Sequence, residues 1–205
     1  MPVLPSIRSV GGVEPRLRDA FAAIDRRSFL PGPQRRFADQ DRPLGIGFGQ
    51  TNSQPTTVVN MLTLLDVQPG QRVLDVGSGS GWTTALLGHL VGPEGEVLGV
   101  ELVAELARSG ARNLSAYDME WTSIRPAEPG VYGLPELAPF DRILVSAMAD
   151  ELPTELVAQL RPGGLMVIPV RSRMLVVRSR GEDPPEVEEH GRYAFVPLVA
   201  GDPDR

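Results

Sequence analysis

The sequence predicts an α/β fold, with a mainly parallel central sheet covered by helices on both faces. Three observations carry this expectation. Short apolar runs recur at Arg72–Val76, Glu96–Val100, Asp141–Ala147 and Leu165–Val170. Stretches with helical spacing of apolar residues lie between them, and strands that alternate with helices assemble into parallel sheets buried on both faces. A glycine-rich loop closes the first run, at the point where a strand would turn into a helix.

The elements follow in order. Residues 1–15, rich in Pro and Gly, read as a loose lead-in, and Leu17, Phe21 and Ile24 place a helix over 16–27. Residues 28–56 show no period; a connection of that length is expected to pack over something or to serve function. A buried helix is predicted over 57–66, then the strand 72–76, a helix over 82–90, the strand 96–100 and a helix over 103–114. Further strands are expected at 121–125 and 141–147, and a proline-started helix at 153–160. The turn Arg161-Pro162-Gly163-Gly164 leads into the strand 165–170, with final strands at 174–178 and 193–199 and an exposed hairpin or loop over the acidic 181–189.

Composition narrows the chemistry. The 205 residues, 41% hydrophobic, suit a single domain with a buried core. The chain has no cysteine and no lysine, which excludes disulfides, thiolate nucleophiles, Schiff bases and a phosphate-loop lysine. His89 and His190 are read as surface histidines, and no carboxylate cluster has metal-ligand spacing, so no metal is expected. The net charge of −6 and the scattered arginines argue against nucleic acid as a partner. No apolar run is long enough to span a membrane, and the first residues lack the build of a signal peptide, so a cytoplasmic protein is expected; a monomer is expected as well.

The most informative stretch is Asp75-Val76-Gly77-Ser78-Gly79-Ser80-Gly81-Trp82. Glycines at a strand-to-helix turn let a ligand approach the backbone. A dinucleotide fingerprint would place its third glycine where Trp82 stands, so the pattern is G-x-G-x-G rather than G-x-G-x-x-G. Glu101 ends the second strand, 24 residues after Gly77, where a carboxylate can accept both ribose hydroxyls.

This loop, with Asp75 before it and Glu101 after it, resembles the first motif of S-adenosylmethionine-dependent methyltransferases. The upstream run Gly49-Gln50-Thr51-Asn52-Ser53-Gln54-Pro55 resembles the G-Q-T-x-S-x-P segment of protein-L-isoaspartate O-methyltransferases. Ala138-Pro139-Phe140-Asp141, Leu160-Arg161-Pro162-Gly163-Gly164, Val167-Ile168-Pro169-Val170 and Phe195-Val196-Pro197-Leu198 match the same family in order. The resemblance spans about residues 16–199. It implies a Rossmann-like, doubly wound methyltransferase fold over 57–205, with a helical and loop extension, 1–56, that contributes to the active site of one domain.

The resemblance also assigns roles. Ser53 matches the active-site serine, whose hydroxyl orients the acceptor carboxylate; taken alone it reads as a helix cap. Gln50, Thr51, Asp75, Gly77, Ser78, Gly79, Ser80, Gly81, Glu101 and Leu102 are the expected cofactor residues. Asp75 is expected near the methionine ammonium. Where the family carries Gly-Asp-Gly for the adenine end, this chain has Ala127-Glu128-Pro129-Gly130, which makes Glu128 the candidate acid. Asn52 stands where the family usually has an apolar residue, and the loop after Val170 is short. The implied reaction is methylation of the α-carboxylate of L-isoaspartyl residues in proteins or peptides. Methylation of an aspartate in one dedicated peptide, and cofactor binding without catalysis, stand as alternatives. Trp121 and Tyr132 each read as adenine neighbours or as core.

Overall fold

The computed structural model describes residues 14–199. All but the last two positions of the expected lead-in lie outside that range.

Helix α1 (Pro15–Ala23) opens the described chain, followed by two 3-10 turns at Arg26–Phe29 and Gly32–Phe37. The unperiodic segment continues into a small antiparallel hairpin, β1 (Leu44–Gly47) and β2 (Gln50–Asn52). Helix α2 (Pro55–Leu65) starts two residues earlier than the apolar spacing predicts, because Pro55 occupies its first turn, where a missing N–H costs nothing. Its cap is not Ser53. Asp41 takes that role from the irregular segment, accepting from the Thr56 amide at 2.9 Å and the Thr56 hydroxyl at 2.7 Å. Burial opposes ionisation of Asp41, but these bonds and one from Gln54 outweigh it and hold the carboxyl below its usual range.

The core follows as β3 (Arg72–Val76), α3 (Trp82–Val91), β4 (Glu96–Glu101), α4 (Ala104–Leu114), β5 (Thr122–Pro126), β6 (Phe140–Val145), α5 (Thr154–Val157), β7 (Leu160–Val170), β8 (Arg173–Arg180) and β9 (Asp183–Arg192). These strands form one seven-stranded sheet in the order β5-β4-β3-β6-β7-β8-β9. Pairing is parallel from β5 to β7 and antiparallel for β8 and β9. The chain runs outward from β3 through β5 and returns to β6 on the other side of β3. The carboxyl ends of β3 and β6 therefore flank a topological switch point, the usual place for a ligand crevice in an open α/β sheet.

Alternation along the strands feeds two cores. Val73, Val97, Leu144 and Val167 face α1, α2 and α3. Leu74, Leu98, Ile143 and Met166 face the opposite side, against Leu134, Phe140 and Leu156. The N-terminal segment is part of the first core: Phe21 meets Trp82 edge to face at 5.6 Å, and Phe29 stacks on Tyr117 at 5.5 Å.

Three expectations are corrected. The helix over 153–160 shrinks to α5, because Leu160 already pairs with Phe140 in the sheet. The turn 161–164 lies inside β7 as a register shift rather than before the strand. The segment 193–199 is no strand of the sheet. It is an extended stretch held to Met148 by two backbone bonds of 2.7 Å, and Pro197 has no N–H to extend a ladder. The acidic 181–189 forms the β8–β9 turn and most of the exposed outer strand, with Glu186 and Glu189 paired with arginines of β8. Among the described residues no helix is long and apolar enough to cross a membrane.

Candidate active site

At the switch point the backbone has no freedom to place a side chain. Gly77, Gly79 and Gly81 all have positive φ, at 76°, 53° and 92°. The amides of Gly77 and Ser78 both donate to Val100 O, which ties the loop to β4. Helix α4 presses on it from outside. A Cβ on Gly110 would lie 2.9 Å from the Gly79 carbonyl, so Gly110 is a glycine because the loop passes against it.

Glu101 is fixed by the backbone around it. Its Oε2 accepts from the Gly79 amide at 2.8 Å and its Oε1 from the Val103 amide at 2.9 Å. A carboxylate has about four acceptor positions, so both oxygens keep capacity for ribose hydroxyls. Asp75 is fully buried beneath the loop, its Oδ2 accepting from the hydroxyls of Thr84 (2.7 Å) and Thr83 (2.9 Å). Burial pushes its pKa up to about 6; the threonine hydroxyls oppose that rise and the Glu101 charge adds to it.

The loop forms one wall of a cavity of about 790 Å³, a volume typical of cofactor and ligand sites. The β1–β2 hairpin and the residue after it form an adjoining wall: Gln50, Thr51, Asn52 and Ser53 line the cavity, as do Gly77, Ser78, Gly79, Ser80, Glu101 and Leu102. Ser53 is half-buried, and its hydroxyl is left free by the Asp41 cap. Asp75 and Gly81 lie behind the lining. Glu128 does not reach the cavity: it sits exposed at the first position of a turn closed by the Val131 amide, and Ala127, Val131, Tyr132 and Gly133 form that wall instead. Tyr132 is thus a lining residue. Trp121 is not, since its indole donates to Gly88 O at 2.8 Å and packs against the first core.

Two buried side-chain oxygens in this region, Asp75 Oδ1 and Ser78 Oγ, have no protein partner. Orphaned buried oxygens beside a glycine cradle fit a ligand that brings donors of its own, as the ammonium and ribose of S-adenosylmethionine do.

Sequence reasoning missed Arg26, which it counted only among the scattered arginines. Only 1% of it is exposed, and its guanidinium lies 5.3 Å from the Trp82 ring centroid. It donates to Asn52 Oδ1 (2.7 Å) and to the carbonyls of Ala38, Gln40, Arg42, Asn52 and Ser53. Burial lowers its pKa to about 10, still far above neutrality, so it is a cation that gathers the irregular segment and fixes the backbone of Ser53. No local signal marks it, because its partners are carbonyls of distant residues.

Fold and cradle define the class: a Rossmann-like methyltransferase that uses S-adenosylmethionine. The sequence model of the protein-L-isoaspartate(D-aspartate) O-methyltransferases matches residues 3–202. The chain is 47% identical to a protein-L-isoaspartate O-methyltransferase of Anaeromyxobacter dehalogenans, over 90% of this chain and 89% of the relative. It is 44% identical to that of Aeropyrum pernix, over 90% and 72%. A solved protein-L-isoaspartate O-methyltransferase superposes with a TM-score of 0.84 at 26% identity, over 94% of this chain and 64% of that one. A Plasmodium falciparum structure holding S-adenosyl-L-homocysteine shares the fold, with a TM-score of 0.82 at 24% identity, over 96% and 95%. The chain belongs to the protein-L-isoaspartate(D-aspartate) O-methyltransferase family.

Proposed function

We propose that the protein transfers a methyl group from S-adenosylmethionine to the free α-carboxylate of L-isoaspartyl residues in damaged proteins or peptides, as a repair step in the cytoplasm. The observation that carries this reading is the cavity lining. Among the described residues it holds no histidine, aspartate, lysine or arginine; its Glu101 is already bonded to two amides, and its Glu105 pairs with Arg108 on the exposed face of α4. With both carboxylates engaged and no imidazole or amine beside them, such a site suits an acceptor that is ionised without help; a carboxyl group with a pKa of about 4 meets that condition at neutral pH.

When bound, S-adenosylmethionine supplies an electrophilic methyl on its sulfonium. The residues of this chain supply position. Gly77 and Gly79 would pack against the amino-acid and ribose portion of the cofactor, Glu101 would accept from its ribose hydroxyls, and Asp75 would support the amino-acid end from beneath the loop. The Ser53 hydroxyl would donate to one oxygen of the acceptor carboxylate and so orient it for transfer. Backbone bonds from Arg26 keep that serine in place. The ester then loses methanol as the neighbouring backbone amide closes a succinimide, and its hydrolysis returns some normal aspartate.

Methyl transfer from labelled S-adenosylmethionine to a matched pair of isoaspartyl and aspartyl peptides tests the proposal. Transfer to the isoaspartyl peptide alone is expected, with kcat/KM lowered about tenfold to a hundredfold by Ser53→Ala, the cost of one hydrogen bond to a charged group. Transfer to neither peptide by a chain that binds cofactor would sink it. The aspartyl arm also addresses a relative dedicated to one aspartyl peptide, a reading favoured by the tight two-residue turn at Arg171-Ser172 beside this end of the sheet.

A further inference from the structure

Asn52, polar where the family usually has an apolar side chain, is 5% exposed and stands between two groups that fix its orientation. Arg26 can only donate, so the Asn52 atom facing it, at 2.7 Å, must be the carbonyl oxygen. The amide nitrogen then points the other way and donates to Ser80 Oγ at 3.2 Å. Ser80 is itself 5% exposed and lines the cofactor cavity; its backbone carbonyl is held by Asn113 Nδ2 at 3.0 Å. A hydroxyl that accepts from one side keeps its own proton for another partner. The chain Arg26 to Asn52 to Ser80 therefore has a single direction, and it ends with a hydroxyl proton available to the cavity.

We propose that Asn52 is a positioning residue that sets the Ser80 hydroxyl as a hydrogen-bond donor to the carboxylate of the cofactor's amino-acid end. The inference rests on the S-adenosylmethionine reading above. The carboxylate is the acceptor that this donor fits: it is anionic, and it belongs to the part of the ligand that the glycine loop packs against. Through Arg26 the same amide joins the cofactor loop to the Ser53 backbone, so the two walls of the cavity share one buried connection.

Asn52→Asp tests the direction of the chain. It presents oxygen to both neighbours, so Ser80 must turn its proton toward residue 52 and offer the cavity only lone pairs. The same change pairs buried Arg26 with a carboxylate and keeps the fold. The wild-type chain, Asn52→Asp and Ser80→Ala are titrated with S-adenosylhomocysteine and with 5′-methylthioadenosine, which keeps the nucleoside but has no carboxylate. S-adenosylhomocysteine should bind about tenfold or more weakly to both variants, the size of a lost charge-assisted bond. The 5′-methylthioadenosine affinity should change less than twofold, and the thermal midpoint of Asn52→Asp should not fall. An equal loss for both ligands would mean a general disturbance of the loop and would overturn the proposal, as would no loss for either. The binding data do not depend on methyl transfer, so a chain that discriminates the two ligands in this way yet methylates no isoaspartyl peptide would refute the repair reading and support this one.

Discussion

At the scale of single residues, the chemistry is set by which polar atoms have already been used. Ser53 keeps its hydroxyl because Asp41 caps α2, and Glu101 is held by backbone amides because the loop needs an anchor. Asp75 is the buried carboxyl whose ionisation the fold resists. Its pKa rises from 3.8 to about 6, mainly through burial. The folded state thus holds more protons than the unfolded chain between about pH 4 and 6, and the contribution of Asp75 to stability falls as pH rises through that window. Asp75→Asn removes this titration. Urea unfolding of both proteins from pH 4 to 7 should show the wild-type losing stability relative to the variant as pH rises toward 6, with a constant difference above it.

At the scale of elements, close approach outweighs propensity. Gly110 lies inside α4, where alanine would gain about 1 kcal/mol of helix propensity. The added Cβ would sit 2.9 Å from Gly79 O and 3.1 Å from Ile124 Cδ1. Overpacking of this kind costs about 1–3 kcal/mol, so Gly110→Ala should destabilise the protein by about 1 kcal/mol net and also weaken S-adenosylhomocysteine binding. Denaturant midpoints and ligand titration together check this; a gain in stability would show that the loop can move away. The hairpin shows a related bargain. Phe48, at its tip and at the cavity edge, is 59% exposed with φ of 54°, a conformation normally left to glycine.

At the scale of the whole molecule, the extension and the sheet share one core rather than meeting at a boundary. Leu17, Phe21 and Phe29 are buried in the same cluster as Val73, Leu86 and Val167. We infer that residues 14–199 unfold as one cooperative unit. Trp82 reports on the side touching the extension, and Trp121 on the far end of α3. Fluorescence of chains keeping one tryptophan or the other should coincide with the far-UV circular dichroism transition. Separate midpoints would mean that the extension detaches first.

The sequence by itself determined the alternating elements, the glycine loop, Glu101 and the G-Q-T-x-S run, because each is local: strand period, turn geometry and motif spacing are carried by neighbouring residues. It placed β3, α3 and β4 to within a residue. It misplaced α5 and the final segment, whose ends are set by Leu160 joining the sheet and by the backbone of Met148. It offered Glu128 for the adenine wall, whereas the turn after β5 carries that side chain outward. Only the tertiary structure decided that Arg26 is a buried hub, that Asn52 joins Ser80 to Arg26 and so to the Ser53 backbone, and that Gly110 makes room for the loop. These roles depend on hydrogen bonds and contacts between residues 12 to 31 positions apart, and such pairings leave no period or spacing in the chain.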